Sequence, residues 1–282
     1  MTGEPSVTYV YAVVAPAARL DGPLADLRGV GDAQVALLSP AGPVDGPAFV
    51  ISRVPAARWT EDVLRSRFED LAWLEETARA HHHVIQVLME HTSVLPLRLA
   101  TLYQDDERAL AALREEQDAF AARLALLAHH TEYGVKIYVV PEAEAPDAPS
   151  GAPAGTDALA APSPGKAYLQ ARRAQRHARE EHHLQAGRAA DLIAAAAARY
   201  ATRTVRHPPQ AGPLTRRENG ENVLNDSYLV PDDRAEDFRA ALRQAGRDLP
   251  GIRVEVTGPW APYSFATPPD RPTETDPPGA RP

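Results

Sequence analysis

A chain of 282 residues with 44% hydrophobic content is long enough for two ordinary domains with real cores. Its net charge of −8 disfavours general nucleic-acid binding, which needs a surplus of lysine and arginine to displace counterions. The absence of cysteine excludes disulfides, thiolate catalysis, iron–sulfur clusters and cysteine-based zinc sites. No apolar run approaches the ~18 residues needed to cross a bilayer. Met1-Thr2-Gly3-Glu4-Pro5 lacks the basic-then-apolar order of a secretory leader, so a cytoplasmic protein without a membrane partner is expected.

Val7 to Val14 is β-branched and aromatic and predicts a strand; Leu20 to Arg28 predicts a short helix. Gln34 to Leu38 and Ala48 to Val54 predict two more strands, joined by a Pro- and Gly-rich turn. A long helix is expected from Trp59 to His91. There Val63/Leu64, Phe68, Leu71, Leu74, Ala78, Ile85 and Leu88 recur at steps of three or four, with Thr60 as N-cap. Ser93 to Ala100 reads as a strand, and Pro96 places it at a sheet edge because proline cannot donate to a ladder. This order is β-α-β-β-α-β, the ferredoxin-like split βαβ.

A connecting helix is expected from Asp105 to His129, and then the order repeats. Tyr133 to Val140 is a strand, Lys166 to Ala201 a long helix, and Thr202 to His207 and Glu221 to Val230 are two strands. Asp232 to Gly246 is a helix and Ile252 to Thr257 the last strand, ended by Gly258-Pro259. The fold class is therefore α+β: two ferredoxin-like domains joined by a helix, with long helices packed on antiparallel sheets. The expected division is 1–101, a connecting helix over 102–130, and 131–266. Residues 141–164 form an insert and 267–282 a tail, both too poor in large apolar residues to order.

Little here suits catalysis or a cofactor. His81-His82-His83 on a helix fan over roughly 200° and cannot chelate together, so a solvated face is expected and a metal site is the lesser reading. His177, His182 and His183 lie among Arg172, Arg173, Arg176, Arg179, Glu180 and Glu181, the pattern of an exposed helix with i,i+4 ion pairs. Ser93, Ser227 and Ser264 sit in no nucleophile motif, and Asp232-Asp233 reads as a helix start. Two segments suit docking. Val94-Leu95-Pro96-Leu97-Arg98-Leu99 is either a plain edge strand or an edge that accepts another chain by strand addition. Trp260, Tyr263 and Phe265 either close the second domain's core or form a contact surface.

Tyr9-Val10-Tyr11-Ala12-Val13-Val14, then Val94 to Thr101, then Thr257-Gly258-Pro259-Trp260-Ala261-Pro262-Tyr263-Ser264-Phe265 together resemble the gas vesicle protein F/L family. Glu132-Tyr133-Gly134-Val135-Lys136, Gly165-Lys166-Ala167-Tyr168-Leu169 and Asn225-Asp226-Ser227-Tyr228-Leu229-Val230 continue the resemblance in order. Two departures, Leu99 in place of a usual Phe and the long linker, leave open whether the chain is F-type or L-type. The resemblance implies a minor structural or assembly protein of gas vesicles, not an enzyme, with no cofactor. Its partners would be the main shell protein and other gas vesicle accessory proteins. The partner-binding candidates are then Leu95, Leu97, Arg98, Leu99, Trp260, Tyr263 and Phe265. Two other readings stand beside it: a ferredoxin-like regulatory ligand-binding module, and a metallohydrolase built on the histidines.

Overall fold

The computed structural model describes residues 5–15, 20–40, 46–139, 164–210, 220–247, 249 and 251–266; within 164–183 it places side chains only at Arg172, Arg173 and Arg176. Two compact units result. One comprises Met1–Glu132 together with Pro259–Pro282, the other Tyr133–Gly258. The expected insert over 141–164, apart from Pro164, and the tail over 267–282 lie outside the described residues, as do the side chains of His177, His182 and His183.

In the first unit β1 (Ser6–Val14), β2 (Val35–Leu38), β3 (Ala48–Pro55) and β4 (Val94–Tyr103) form an antiparallel sheet of order β2-β3-β1-β4. Pro96 does stand on an edge strand. From Tyr9 to Val14 every residue of β1 is buried, because the strand is central and both faces of the sheet are covered. One face packs on Val84, Ile85 and Leu88 of α3 (Leu71–Met89). On the other, Phe49 meets Phe120 of α5 (Gln117–Leu127) edge to face at 5.9 Å. Here Thr8 donates to Asp106, the first residue of α4 (Asp106–Glu115), at 2.7 Å. The residues expected to connect two domains thus form the third layer of the first.

The expected single helix over 59–91 is two. α2 (Glu61–Arg67) keeps the Thr60 cap, and α3 starts afresh because the Asp70 carboxylate accepts from Ala72 N and Trp73 N. The break resets the helical phase. Thr77, His81, Val84, Ile85 and Leu88 face inward, while Phe68 and Leu71, expected in the buried stripe, are exposed. The helix expected over 105–129 likewise divides at Glu116, whose ψ of 13° departs from the α-helix. The short helix near residue 20 is α1 (Asp21–Ala25).

The second unit has β5 (His130–Val139), α6 (Pro164–Ala198), β6 (Arg203–Arg206), β7 (Glu221–Pro231), α7 (Ala235–Ala245) and β8 (Ile252–Trp260). The sheet order β6-β7-β5-β8 repeats that of the first unit. Ile193 and Ala197 of α6 and Phe238 and Leu242 of α7 pack on Tyr133, Val135 and Ile137 of β5. Asn222 Nδ2 donates to the carbonyls of Ile137 and Leu224, tying β7 to its neighbour inside the sheet. The architecture is α+β, two ferredoxin-like sheets with long helices packed on them.

Gly134 is demanded by close packing. A Cβ there would lie 2.8 Å from Thr257 Oγ1 across the sheet. Gly134→Ala is therefore expected to destabilise the second unit by about 1–2 kcal/mol. Thr257→Ala in the same chain should return most of it, read as the shift of the circular-dichroism melt.

Candidate functional site

Residues 97–100 leave the β1–β4 ladder. Val10 pairs with Thr101 and Ala12 with Pro96, so Tyr11 alone stands opposite the run Leu97, Arg98, Leu99 and Ala100. The loop is held by two contacts. Thr101 Oγ1 donates to the Arg98 carbonyl at 2.8 Å, and Ala100 N, at a φ of 60°, donates to the Tyr9 hydroxyl at 3.2 Å. An alanine in the left-handed region is strained, and the buried tyrosine is what maintains it.

Tyr9 also bonds His81 Nδ1 at 2.8 Å. Its oxygen already accepts from Ala100, so donation to Nδ1 satisfies both partners and leaves His81 as the Nε2–H tautomer. That Nε2 is buried without a hydrogen-bond partner; the Leu97 carbonyl lies near enough to favour the proton but outside bonding geometry. Tyr9, Tyr11, Trp59 and His81 form one ring cluster with centroids 4.8–5.7 Å apart. Burial lowers the His81 pKa to about 4 and raises that of Tyr9 well above the ordinary phenol.

The closing aromatic segment comes to this same place. β8 runs through Gly258-Pro259 to Trp260, past its expected stop; Gly258, at a φ of 121°, turns the chain there, and Pro259 returns it to the first unit. Ala261 enters the first core. α8 (Tyr263–Ala266) lies against β4. Buried Glu132 holds it, accepting from Ser264 N at 2.9 Å and from Ser264 Oγ at 2.6 Å. Arg123 of α5 donates to the Ala266 carbonyl at 3.2 Å. His82 sits beneath Trp260 and Tyr263, its ring 5.7 and 6.3 Å from theirs. Desolvation lowers the basicity of His82 and raises the pKa of the Tyr263 phenol.

The expectation that Trp260, Tyr263 and Phe265 close the second core is thereby corrected. They belong to the first unit, because Pro262 and Ala261 carry the chain into its interior. The two docking candidates, far apart in sequence, fall in the same unit, where α8 lies against β4. Leu97 and Leu99 are half-buried, Arg98 is exposed, and Trp260 and Tyr263 are 40% and 37% exposed. Leu95 and Phe265 are interior. Residues 95–99 are not a regular edge: Pro96 has no N–H to donate, residues 97–100 leave the ladder with β1, and α8 lies against the same strand.

The histidine triplet is corrected too. Only His83 is solvated; His81 bonds Tyr9 and His82 packs under the aromatics. The three therefore converge on no common point. Among the described residues, no group of three or more His, Asp or Glu is placed to hold a metal ion, and no helix is long and apolar enough to cross a membrane. Sequence reasoning missed Tyr9, His81, His82 and Glu132 as the supports of this surface. Two of them, Tyr9 and Glu132, lie within blocks that carried the family resemblance, which was the available signal. In the second unit, buried Asp226 plays a similar supporting part, with Arg206 Nε at 3.3 Å and the Tyr228 hydroxyl at 3.4 Å.

Comparison with known proteins agrees with this architecture. Residues 7–267 match the family model described as gas vesicle synthesis protein GvpL/GvpF. Gas vesicle protein L of Streptomyces sp. (strain CB03234) is 38% identical over 259 residues, 92% of each chain. Gas vesicle protein F of the same strain is 30% identical over 199 residues, 70% of this chain and 80% of that one. The crystal structure of GvpF from Anabaena sp. PCC7120 shares the fold at a TM-score of 0.61 and 16% identity, covering 94% of this chain and 97% of its own. That of GvpF from Microcystis aeruginosa does so at 0.56 and 18%, covering 93% and 99%. With its paired ferredoxin-like sheets and its matched span, the chain belongs to the gas vesicle protein L/F family.

Proposed function

We propose that this chain is a cytoplasmic, non-catalytic assembly protein that transiently captures the hydrophobic main shell protein during gas vesicle formation. Capture takes place on the surface formed by Trp260, Tyr263 and the Leu97–Leu99 loop. A shell subunit that repels water on one face must expose apolar area before it is incorporated, and such area aggregates unless covered. The observation that carries this reading is the state of Trp260 and Tyr263. Both are partly exposed, yet both are fixed from below by His82 and, through Ser264, by Glu132. Rigid aromatic anchors lose little freedom on binding and concentrate affinity.

Trp260→Ala with Tyr263→Ala is expected to weaken co-purification of the shell protein by on the order of tenfold or more. The protein itself should stay folded, because Phe265 and Ala261 remain buried beneath. Undiminished capture by the folded double variant would remove this surface from the account.

A further inference from the structure

In an acidic chain, one face of α7 is cationic. Arg239 and Arg243 of α7 and Arg247 in the turn just beyond it recur every four residues and form one wall of a groove of about 480 Å³ beside β8. Leu242, Val254 and Val256 provide its apolar floor. Arg239 is already committed, bonded to Glu236 and set 5.8 Å over the Tyr133 ring. Arg243 and Arg247 are exposed and have no ion-pair partner among the described residues. β8 is one of the two edge strands of its sheet among the described residues. At the far end a Cβ on Gly246 would sit 3.1 Å from Val254 Cγ2, so helix and strand close together there.

The spacing selects the occupant. Four residues of helix rise about 6 Å, and two residues of extended chain rise about 6.7 Å. Arginines at i, i+4 and i+8 therefore match carboxylates at alternate positions of a strand. We propose that this groove binds an acidic, extended protein segment, laid along the outer edge of β8 with alternate Asp or Glu side chains paired to Arg243 and Arg247. Guanidinium pairs with carboxylates through two parallel bonds, which rewards this planar match. On its outer side β8 has no neighbouring strand among the described residues, the usual setting for strand addition. This site is separate from the aromatic surface and stands without it.

The test uses the full chain and a labelled peptide of alternating valine and glutamate, followed by fluorescence anisotropy. Arg243→Glu with Arg247→Glu should lower its affinity by on the order of tenfold or more, and added salt should weaken binding to the parent chain. Hydrogen exchange should show new protection across β8 when the peptide is bound. Trp260→Ala with Tyr263→Ala should leave all of this unchanged. Equal affinity for a valine–lysine peptide or for single-stranded DNA would overturn the proposal. So would indifference to the charge reversal with circular dichroism intact, or binding without protection of β8.

Discussion

Gly29→Ala is expected to destabilise the first unit by about 3–5 kcal/mol. An added Cβ would fall on the Tyr11 hydroxyl and press on its ring carbon, with Ser52 Oγ 3.1 Å away. Tyr11 cannot retreat: it is fully buried, 4.8 Å from the Tyr9 ring and 5.5 Å from His81. Its hydroxyl donates to Ser52 Oγ at 2.9 Å and accepts from Val30 N at 2.9 Å. Displacing it strands the buried Val30 N and costs Ser52 Oγ one of its two bonds, in addition to the steric cost. All three tryptophans, Trp59, Trp73 and Trp260, belong to this unit, so denaturation followed by their fluorescence reports on it selectively. Tyr11→Phe alone should cost about 1–3 kcal/mol, by leaving Val30 N unpaired and removing the donor to Ser52 Oγ, which keeps its bond to the Gln34 carbonyl. Combined with Gly29→Ala it should cost clearly less than the sum, because the nearer of the two clashing atoms is gone. Strict additivity would show that the glycine is not required by Tyr11.

Acidification should weaken the same unit through His81. Its pKa is about 4 in the folded protein against about 6.5 when unfolded, because burial disfavours the imidazolium. Between those values the unfolded chain binds the extra proton. Stability is therefore fully present above about pH 6.5 and falls as the pH drops towards 4, by up to about 3 kcal/mol. The groups around it cannot offset this: Tyr9 and Tyr11 stay neutral in this range, and His82 would add like charge. His81→Gln should flatten the dependence between pH 7 and pH 4 by about that amount, whatever its cost at neutral pH. An unchanged slope in the variant would mean that other groups carry the acid sensitivity.

The two sheets, their order and the edge position of β4 were legible in the sequence because they rest on alternation, on β-branched runs and on Pro96. The breaks at Phe68–Asp70 and Glu116 were not, since apolar steps of three or four continue across them; the Asp70 carboxylate restarts the helix at the first, and only a local change of backbone angle marks the second. The inward stripe of α3 was misjudged for a related reason. It includes Thr77 and His81, polar residues that hydropathy counts as outward, the second of them bonded in the core to Tyr9. The aromatic segment was recognised as important but assigned to the wrong core. Nothing local to Gly258-Pro259 tells which unit the chain enters next; Glu132, more than a hundred residues earlier, decides it through Ser264.

Because Tyr133–Gly258 intervenes between the two parts of the first unit, synthesis and folding run in opposite order. On the ribosome the second unit is complete once Gly258 has emerged, while the N-terminal unit still awaits Ala261 and the residues that Glu132 grips. Until then, nascent chains carry an N-terminal half with an unfilled core and an uncovered strand flank, a natural substrate for chaperones. A stop codon placed just before Pro259 would thus damage the part of the protein made first and spare the part made last.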